Sequence, residues 1–442
     1  PPLGILYLAS YIQANSPQFR PLIIDAAAGK MSLSGILERI EADSPFVIGI
    51  SSMTPQLQGA VELAGAVKKK FKDTVKIFFG GPHISADPAF IGRFEGLFDY
   101  AIKGEGEKTF LNSLHALVSG CVVPRIQEGE PAADLDSLPF PDRKLLVRKN
   151  YGAVESMIFS RGCPYDCYYC SRPSISKKVR YRSAKNMVEE ILSVFPGGKG
   201  KVDFQDDTFT LDRKKVLEFC EEAAKRSVSL EWRCNSRIDL VDEELLTAMK
   251  RAGCMLIHFG IESGNERIRK EVIHKGAFSN ERIYEVFGMC RKSGIRAAGY
   301  FMIGHPQETE KEIGETKEMI VNSGIDLMGL SIPTPFPGSN LFEIAHAQGV
   351  INEEIMDKFT RKELGEGYTG NYPVFISPSL SRDYLFSVMQ EINRKFYLNG
   401  RIFFRKLAED IISPRALCRD ARDFFSLILK GVSSRKPYVK DR

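Results

Sequence analysis

The chain has 442 residues, of which 43% are hydrophobic and 26% charged, as in ordinary globular domains, so a fibrous or disordered chain is excluded. This length predicts two or three domains rather than a single core. Lys and Arg outnumber Asp and Glu by only 61 to 56, a bias too weak to indicate nucleic acid as a partner. No apolar run reaches the ~18 residues of a membrane-spanning helix.

Residues 1–118 alternate between helical and strand patterns. Short buried strands are predicted at residues 21–25, 46–51, 75–80 and 99–102, and helices at residues 5–13, 33–41, 57–71 and 88–94. This alternation predicts an α/β domain with a doubly wound, Rossmann-like parallel sheet. The chain opens Pro-Pro-Leu-Gly without a Met or a signal peptide. We therefore expect a trimmed chain whose first strand lies upstream of Pro1.

Three further regions follow this domain. Residues 119–149 are rich in Pro, Asp and Glu and predict an extended linker. Residues 150–345 contain a second series of six strand–helix units, which predicts a partial (β/α)6 barrel with its chemistry at the carboxyl ends of the strands. The barrel strands are predicted at residues 153–160, 201–205, 231–234, 255–259, 296–303 and 329–333. Residues 346–442 predict a helical region, and the last 42 residues hold eleven Lys and Arg against five Asp and Glu.

Nine cysteines are present, and six of them are scattered singly, mostly in apolar or helical segments. This pattern is typical of free thiols in a reducing compartment and predicts a cytoplasmic protein. Cys163, Cys167 and Cys170 instead form a Cys-x3-Cys-x2-Cys cluster directly after a predicted strand. Three thiolates on one loop can hold three corners of a [4Fe–4S] cube and leave the fourth iron open. A structural zinc is the alternative, but zinc requires four closed ligands, and no fourth ligand is near in sequence.

This cysteine motif, with the aromatic Tyr169 directly before the last cysteine, resembles the signature of radical S-adenosylmethionine enzymes. The resemblance implies that the open iron chelates S-adenosylmethionine, that Tyr169 lies beside the adenine, and that one electron cleaves the sulfonium to a 5′-deoxyadenosyl radical. It also implies a low-potential electron donor such as flavodoxin or ferredoxin.

Later strand ends resemble the cofactor-binding motifs of the same enzymes. The resemblance implies that Asp206 binds an ammonium group, although capping of the following helix explains this residue equally well. It also implies contacts to the ribose, amine or carboxylate of S-adenosylmethionine from two further strand ends. These contacts involve Asn235, Arg237, Gly260, Glu262 and Ser263.

Two strand ends in the N-terminal domain are followed by hydroxyl residues or by paired glycines. Together with Lys103-Gly-Glu-Gly-Glu107 and the linker, they resemble the cobalamin-binding domain fused to a large group of radical S-adenosylmethionine enzymes, the methylases and anaerobic magnesium-protoporphyrin ester cyclases. The resemblance implies that cobalamin contacts Ser51, Thr54, Gly80 and Gly81; helix caps and tight turns are the alternative. Many such domains ligate cobalt through Asp-x-His-x-x-Gly; if Gly4 is that glycine, Pro1 replaces the histidine. His83 is a poor substitute and is expected to bond near the nucleotide tail or to lie at the surface.

Three functions fit this resemblance. The first is a methylase that uses two molecules of S-adenosylmethionine to methylate an unactivated carbon of a small-molecule or lipid-like substrate. The second is a radical cyclase or another oxidative or rearranging enzyme on the same scaffold. The third, a non-catalytic corrinoid sensor, is disfavoured because a sensor needs no open iron. Phe424, Phe425 and their apolar neighbours predict a terminal helix that packs on the barrel or docks peripherally on anionic lipid at the inner membrane surface.

Overall fold

The computed structural model describes residues 1–172, 175–361, 377 and 379–400. The predicted terminal lipid-docking helix lies outside these residues. The chain divides into two compact units, which are described separately. Of the described residues, the first contains 1–172, 175–235, 251–254 and 335–361, and the second contains 236–250, 255–334, 377 and 379–400. Among the described residues, no helix combines the length and the apolar character needed to cross a bilayer.

The first unit opens with a parallel four-stranded sheet in the order β1-β2-β3-β4. Its strands are β1 (Val47–Ser51), β2 (Lys76–Gly80), β3 (Tyr100–Lys103) and β4 (Ile126–Glu128). Its helices are α1 (Leu3–Asn15), α2 (Ala26–Gly29), α3 (Leu33–Asp43), α4 (Leu57–Phe71), α5 (Pro82–Ala86), α6 (Phe90–Arg93) and α7 (Glu107–Val118). The predicted Rossmann-like α/β domain is confirmed.

Two details of this domain differ from the prediction. Residues 21–25, a predicted strand, join no ladder of the described sheets. Asp25 ends the segment by capping α2 through the amide of Ala28 at 3.0 Å. The segment 119–149, predicted as a linker, contributes β4, which pairs in parallel with β3. The rest of that segment contains short 3₁₀ turns and no α-helix, in keeping with its prolines.

The packing of β2 and α4 shows why this part of the sequence folds as it does. Strand β2 buries Ile77, Phe78 and Phe79 in succession, so both of its faces are covered. Helix α4 buries Leu57, Ala60, Ala64 and Val67, a single apolar stripe at helical spacing. Its last turn carries three lysines, which interact favourably with the negative end of the helix dipole.

A six-stranded sheet follows, in the order β5-β8-β9-β10-β11-β12. Its strands are β5 (Val154–Met157), β8 (Lys199–Phe204), β9 (Ser229–Ser236), β10 (Cys254–Glu262), β11 (Arg296–Met302) and β12 (Leu327–Ser331). The pairs β5–β8, β8–β9, β10–β11 and β11–β12 are parallel, as in Val154↔Lys201 and Ala298↔Leu327. Parallel strands in chain order are the arrangement of a (β/α) barrel, so the predicted partial barrel is confirmed.

Helices connect these strands and continue after them. They are α8 (Ala184–Val194), α9 (Arg213–Lys225), α10 (Glu243–Arg251), α11 (Asn280–Lys292), α12 (Glu310–Asn322), α13 (Asn340–Ala347), α14 (Glu353–Thr360) and α15 (Arg382–Tyr397). Side-chain oxygens of Ser183, Asp212, Ser279 and Thr309 cap four of them at their N-termini. A short antiparallel pair, β6 (Ser160–Arg161) and β7 (Arg180–Tyr181), lies between β5 and α8.

Candidate active site

The three clustered cysteines lie on the cysteine loop, residues 162–179, which the β6–β7 ladder closes at its base. Cys167 is buried, whereas Cys163 and Cys170 are partly exposed. The Cys163 amide donates to Ser176 O at 3.2 Å, and the Cys170 amide donates to Cys167 O at 2.9 Å. Gly162 opens the loop at φ +98°, where a Cβ would lie 2.3 Å from Lys178 O. Backbone hydrogen bonds therefore position Cys163 and Cys170, and the loop begins at a glycine that its conformation requires.

Burial and one hydrogen bond act on the Cys170 thiol. Burial raises its pKa to about 11, although the Arg172 amide donates to its Sγ at 3.4 Å and opposes that shift. Within the described part of the chain, no group of three or more His, Cys, Asp or Glu side chains is arranged to hold a single metal ion. In a [4Fe–4S] cube, each thiolate of this loop would ligate a different iron.

Tyr169, the predicted adenine neighbour, is partly buried on the same loop. Its ring meets that of Tyr168 edge to face, with centroids 5.8 Å apart. Tyr168 is buried, and its carbonyl accepts a hydrogen bond from the Leu341 amide at 2.8 Å. This hydrogen bond from the start of α13 therefore fixes the backbone next to Tyr169.

Asp206 lies against the backbone that leads into the cysteine loop. Its carboxylate is buried and accepts hydrogen bonds from the Phe159 amide at 3.0 Å, the Ser160 amide at 2.5 Å and the Ser160 hydroxyl at 2.6 Å. Burial raises its pKa to about 6, against these three bonds. The helix-cap alternative is wrong, because Asp212 caps α9. Asp206 thus holds the backbone that leads into the cysteine loop.

Asn235 lies next to Asp206, as the order of the predicted strand ends requires. Its side-chain amide donates to Asp206 O at 3.1 Å. The neighbouring Asp207 pairs with Arg172 at 2.8 Å, two residues after Cys170. Asp206 and Asp207, which follow β8, therefore contact the chain just before and just after the three cysteines.

In the second unit, Gly260, Glu262 and Arg237 surround Lys275. Glu262 is buried at φ +72°, beside a register shift in β10, and pairs with Lys275 Nζ at 2.9 Å. A Cβ on Gly260 would lie 2.5 Å from the Glu262 carboxylate and 2.6 Å from Lys275 Nζ. Arg237 donates to Asp239 at 2.9 and 2.8 Å and to the Lys275 carbonyl. Sequence reasoning missed Lys275, which belongs to no strand-end motif.

Ser263, also predicted as a cofactor ligand, is fully buried between two elements of the second unit. Its hydroxyl lies 3.2 Å from Thr316 Oγ1 and accepts from the Asn265 amide at 3.1 Å. Glu308 was likewise missed: it accepts from the amides of Gly304 and His305 at 2.6 and 3.0 Å and so closes the turn after β11. Burial raises the pKa of Glu308 to about 7.

In the N-terminal domain, Gly81 and Ser51 lie together at the carboxyl edge of the sheet. Gly81 has φ +95°, and a Cβ there would lie 2.6 Å from Ser51 Oγ. Gly80 is less restricted, since its closest contact would be 3.9 Å away. Thr54 is buried and its hydroxyl lies 3.1 Å from His83 Nδ1. His83 itself is buried, not at the surface as one alternative had it, and burial lowers its pKa to about 4.

A group of charges joins this domain to the cysteine loop within the first unit. Arg161 donates to Glu105 at 2.9 Å and to Glu107 at 2.8 Å, and its guanidinium lies 4.8 Å from the ring centre of Tyr7. Arg180 donates to the same Glu105. Burial pushes the pKa of Glu105 upward, but hydrogen bonds and charge from the two arginines outweigh it and hold that pKa below its usual value.

Comparison with known families agrees with this arrangement. The B12 binding domain model matches residues 1–113, and the Radical SAM superfamily model matches residues 157–320. The chain therefore contains a B12-binding domain followed by a radical SAM (S-adenosylmethionine) domain. A [4Fe–4S] cluster, S-adenosylmethionine and cobalamin are its cofactors.

Several relatives, among them a methyltransferase and a cyclase, cover most of the chain. An uncharacterized methyltransferase of Pyrococcus horikoshii is 29% identical over 429 residues, 92% of this chain and 90% of that protein. The anaerobic magnesium-protoporphyrin IX monomethyl ester cyclase of Rubrivivax gelatinosus is 26% identical over 426 residues, 90% of this chain and 74% of that protein. The radical S-adenosylmethionine methyltransferase TsrM from Kitasatospora setae shares the fold, with a TM-score of 0.71, 17% identity, and coverage of 88% and 86% of the two chains.

Proposed function

We propose that this enzyme transfers a methyl group to an unactivated carbon of a small-molecule or lipid-like substrate. The observation that carries the proposal is the three-cysteine loop, which shares one compact unit with the B12-binding domain and is joined to it by Glu105. The similarity to a methyltransferase over nearly the full length of both chains supports it. When bound, the cluster supplies the electron that cleaves S-adenosylmethionine, and the corrinoid supplies the methyl-carrier chemistry.

The chain's own residues bind and orient these groups. Cys163, Cys167 and Cys170 hold three irons, and Tyr169 borders the adenine. We assign Asp206 to holding the backbone before this loop rather than to binding the ammonium group, because its oxygens already accept three hydrogen bonds from Phe159 and Ser160. The remaining proposed contacts to S-adenosylmethionine come from Asn235, Arg237, Gly260, Glu262 and Ser263.

The proposed corrinoid site lies at the carboxyl edge of the first sheet. Ser51, Thr54, Gly80 and Gly81 are the proposed contacts, through hydroxyl groups and bare backbone, and the Thr54 hydroxyl also lies 3.1 Å from His83 Nδ1. The domains that we propose are residues 1–118 for cobalamin, 119–149 as a connector that includes β4, 150–345 for the barrel and 346–442 for the C-terminal region.

A radical cyclase remains the second candidate, because the cyclase of Rubrivivax gelatinosus covers 90% of this chain. Product analysis separates the two functions. The full chain, reconstituted anaerobically with iron, sulfide and corrinoid, is incubated with methyl-deuterated S-adenosylmethionine, a reductant and candidate polycyclic or lipid substrates. A labelled methyl group in the product, together with S-adenosylhomocysteine and 5′-deoxyadenosine, supports the methylase. A product without the label, together with 5′-deoxyadenosine, supports the cyclase.

Three features of the cellular setting belong to this proposal. The cluster requires a low-potential reductant, which we propose to be flavodoxin or ferredoxin. The free thiols support a cytoplasmic location. Peripheral contact with a membrane would come from the C-terminal segment, and liposome co-sedimentation of the full chain against a chain ending near residue 414 tests it.

A further inference from the structure

The neck of the cysteine loop, formed by β6 and β7, places two like charges opposite each other. Arg161 and Arg180 are paired across this antiparallel ladder. Like charges directly opposite in a sheet destabilise the pairing. Only 15% of the Arg161 side chain and 9% of the Arg180 side chain are exposed, so water screens the repulsion poorly. Without a counter-charge, this ladder would be a weak closure for the loop that carries the cysteines.

Glu105 supplies that counter-charge to both arginines at once. One of its oxygens accepts from Arg161 at 2.9 Å and from Arg180 at 3.2 Å, and the other accepts from Arg180. Glu107 accepts a hydrogen bond from the second terminal nitrogen of Arg161 at 2.8 Å. Two carboxylates therefore balance two guanidiniums, and of these two carboxylates it is Glu105 that contacts both sides of the neck.

Backbone packing holds Glu105 in this position. It follows β3 by two residues, directly after Gly104, which has φ +83° and donates to Ser85 Oγ at 2.9 Å. The Gly129 amide donates to Lys103 O at 2.7 Å, and a Cβ on Gly129 would lie 2.1 Å from Glu105 O. The carboxylate is thus presented by the sheet of the B12-binding domain and not by a free side chain on the surface.

We propose that Glu105 is a positioning residue for the iron–sulfur site: by neutralising Arg161 and Arg180 it keeps the neck closed, so that retention of the cluster depends on the B12-binding domain. Glu105 acts through the two arginines and does not touch the cluster. The proposal rests on the cluster assigned to Cys163, Cys167 and Cys170.

The test compares Glu105→Gln with Glu128→Gln in the full chain reconstituted anaerobically. Glu128 is the matched control, because it also pairs with a basic residue of this segment, Lys103, but contacts no residue of the neck. The measurements are iron per chain, the rate of iron release to a chelator, the electron paramagnetic resonance spectrum of the reduced cluster, and corrinoid binding. For Glu105→Gln we expect release about 10-fold faster and an altered spectrum with corrinoid binding retained, because a buried charge has lost its partner. Glu128→Gln should match the parent.

A double-mutant cycle with Arg180→Gln separates charge neutralisation from a general loss of folding. In the Arg180→Gln background, Glu105→Gln should change the release rate by less than about 2-fold, because the opposed pair of charges no longer exists. If Glu105→Gln does not fold, Glu105→Asp is used in its place. We expect Glu105→Asp to speed iron release about 3-fold in the parent background and to leave it unchanged in the Arg180→Gln background. Equal release from Glu105→Gln and Glu128→Gln overturns the proposal, as does an effect that persists in the Arg180→Gln background. A parent chain that binds no iron would instead contradict the assigned cluster.

Discussion

The carboxylate of Asp206 accepts two hydrogen bonds from Ser160, at 2.5 Å from the backbone amide and 2.6 Å from the side-chain hydroxyl. Ser160 stands three residues before Cys163, at the entry to the cysteine loop. A carboxylate with both oxygens engaged by the chain is a support for that loop and not an open ligand for a substrate ammonium group. Its burial has a measurable consequence for stability.

Asp206→Asn should remove a pH dependence from the stability of the cluster-free chain. Burial raises the pKa of Asp206 from 3.8 to about 6, so its ionisation opposes folding. This cost is absent below the unfolded-state pKa and complete above the folded-state pKa. The free energy of unfolding of the parent minus that of the variant should therefore fall by about 2 kcal/mol between pH 4 and 7. Urea unfolding across this range measures it, and a flat difference would contradict the raised pKa.

Replacing Cys163, Cys167 or Cys170 by Ala should abolish the cluster and all reductive cleavage of S-adenosylmethionine. Each thiolate ligates a different iron, so the loss of one leaves the cube with two protein ligands. Iron analysis and 5′-deoxyadenosine formation measure the effect, and corrin absorbance shows that the B12-binding domain still folds. Cys121→Ala is the control, since Cys121 is an exposed cysteine outside the loop. Cleavage retained by a reconstituted triple variant would rule out the radical mechanism.

Much of this fold could be predicted from local patterns. Helix α4 has the bounds Leu57–Phe71 that its apolar spacing predicts, and all six barrel strands form where alternation and composition placed them. The cysteine loop was found because its three ligands lie within eight residues of each other in the sequence. Such features depend on neighbours along the chain, which the sequence displays directly.

The partners that organise the site could not be predicted in this way. Asp206 bonds to residues 46 and 47 positions earlier, and Glu105 bonds to Arg180, which is 75 positions later. A carboxylate after a strand has the same sequence appearance whether it faces a ligand or a buried backbone amide. Only the folded chain distinguishes the two, because burial and hydrogen bonding are set by tertiary packing.

Gly81→Val should weaken corrinoid binding while leaving the iron content unchanged. At φ +95° a branched side chain is strained, and its Cβ would lie 2.6 Å from Ser51 Oγ and 2.9 Å from the Ser52 amide. The strain must displace the edge of the sheet proposed to face the corrinoid, so we expect at least a ~10-fold loss of affinity. Corrin absorbance after reconstitution, measured beside iron per chain, provides the readout. Gly59→Ala is the control, because a Cβ there meets no atom within 4 Å; unchanged affinity in Gly81→Val would mean that this glycine serves only a turn.

Lys275→Met should destabilise the second unit and weaken the binding of S-adenosylmethionine. Lys275 and Glu262 form a buried ion pair with side chains 9% and 8% exposed, so removing the ammonium group leaves a buried carboxylate without its counter-charge. The expected loss in the free energy of unfolding is about 3–5 kcal/mol.

A second substitution, Glu262→Gln, tests the cause of this loss. In combination with Lys275→Met it should recover most of the stability, because no buried charge remains, while binding of S-adenosylmethionine stays weak if Glu262 contacts that ligand. Lys201→Met is the control: its pair with Glu231 is more than half exposed and should contribute at most about 1 kcal/mol. Denaturant unfolding and equilibrium binding of S-adenosylmethionine to the reconstituted chain measure the two effects separately. Full recovery of both stability and binding in the double variant would show that the pair stabilises the strand end and that Glu262 is no ligand.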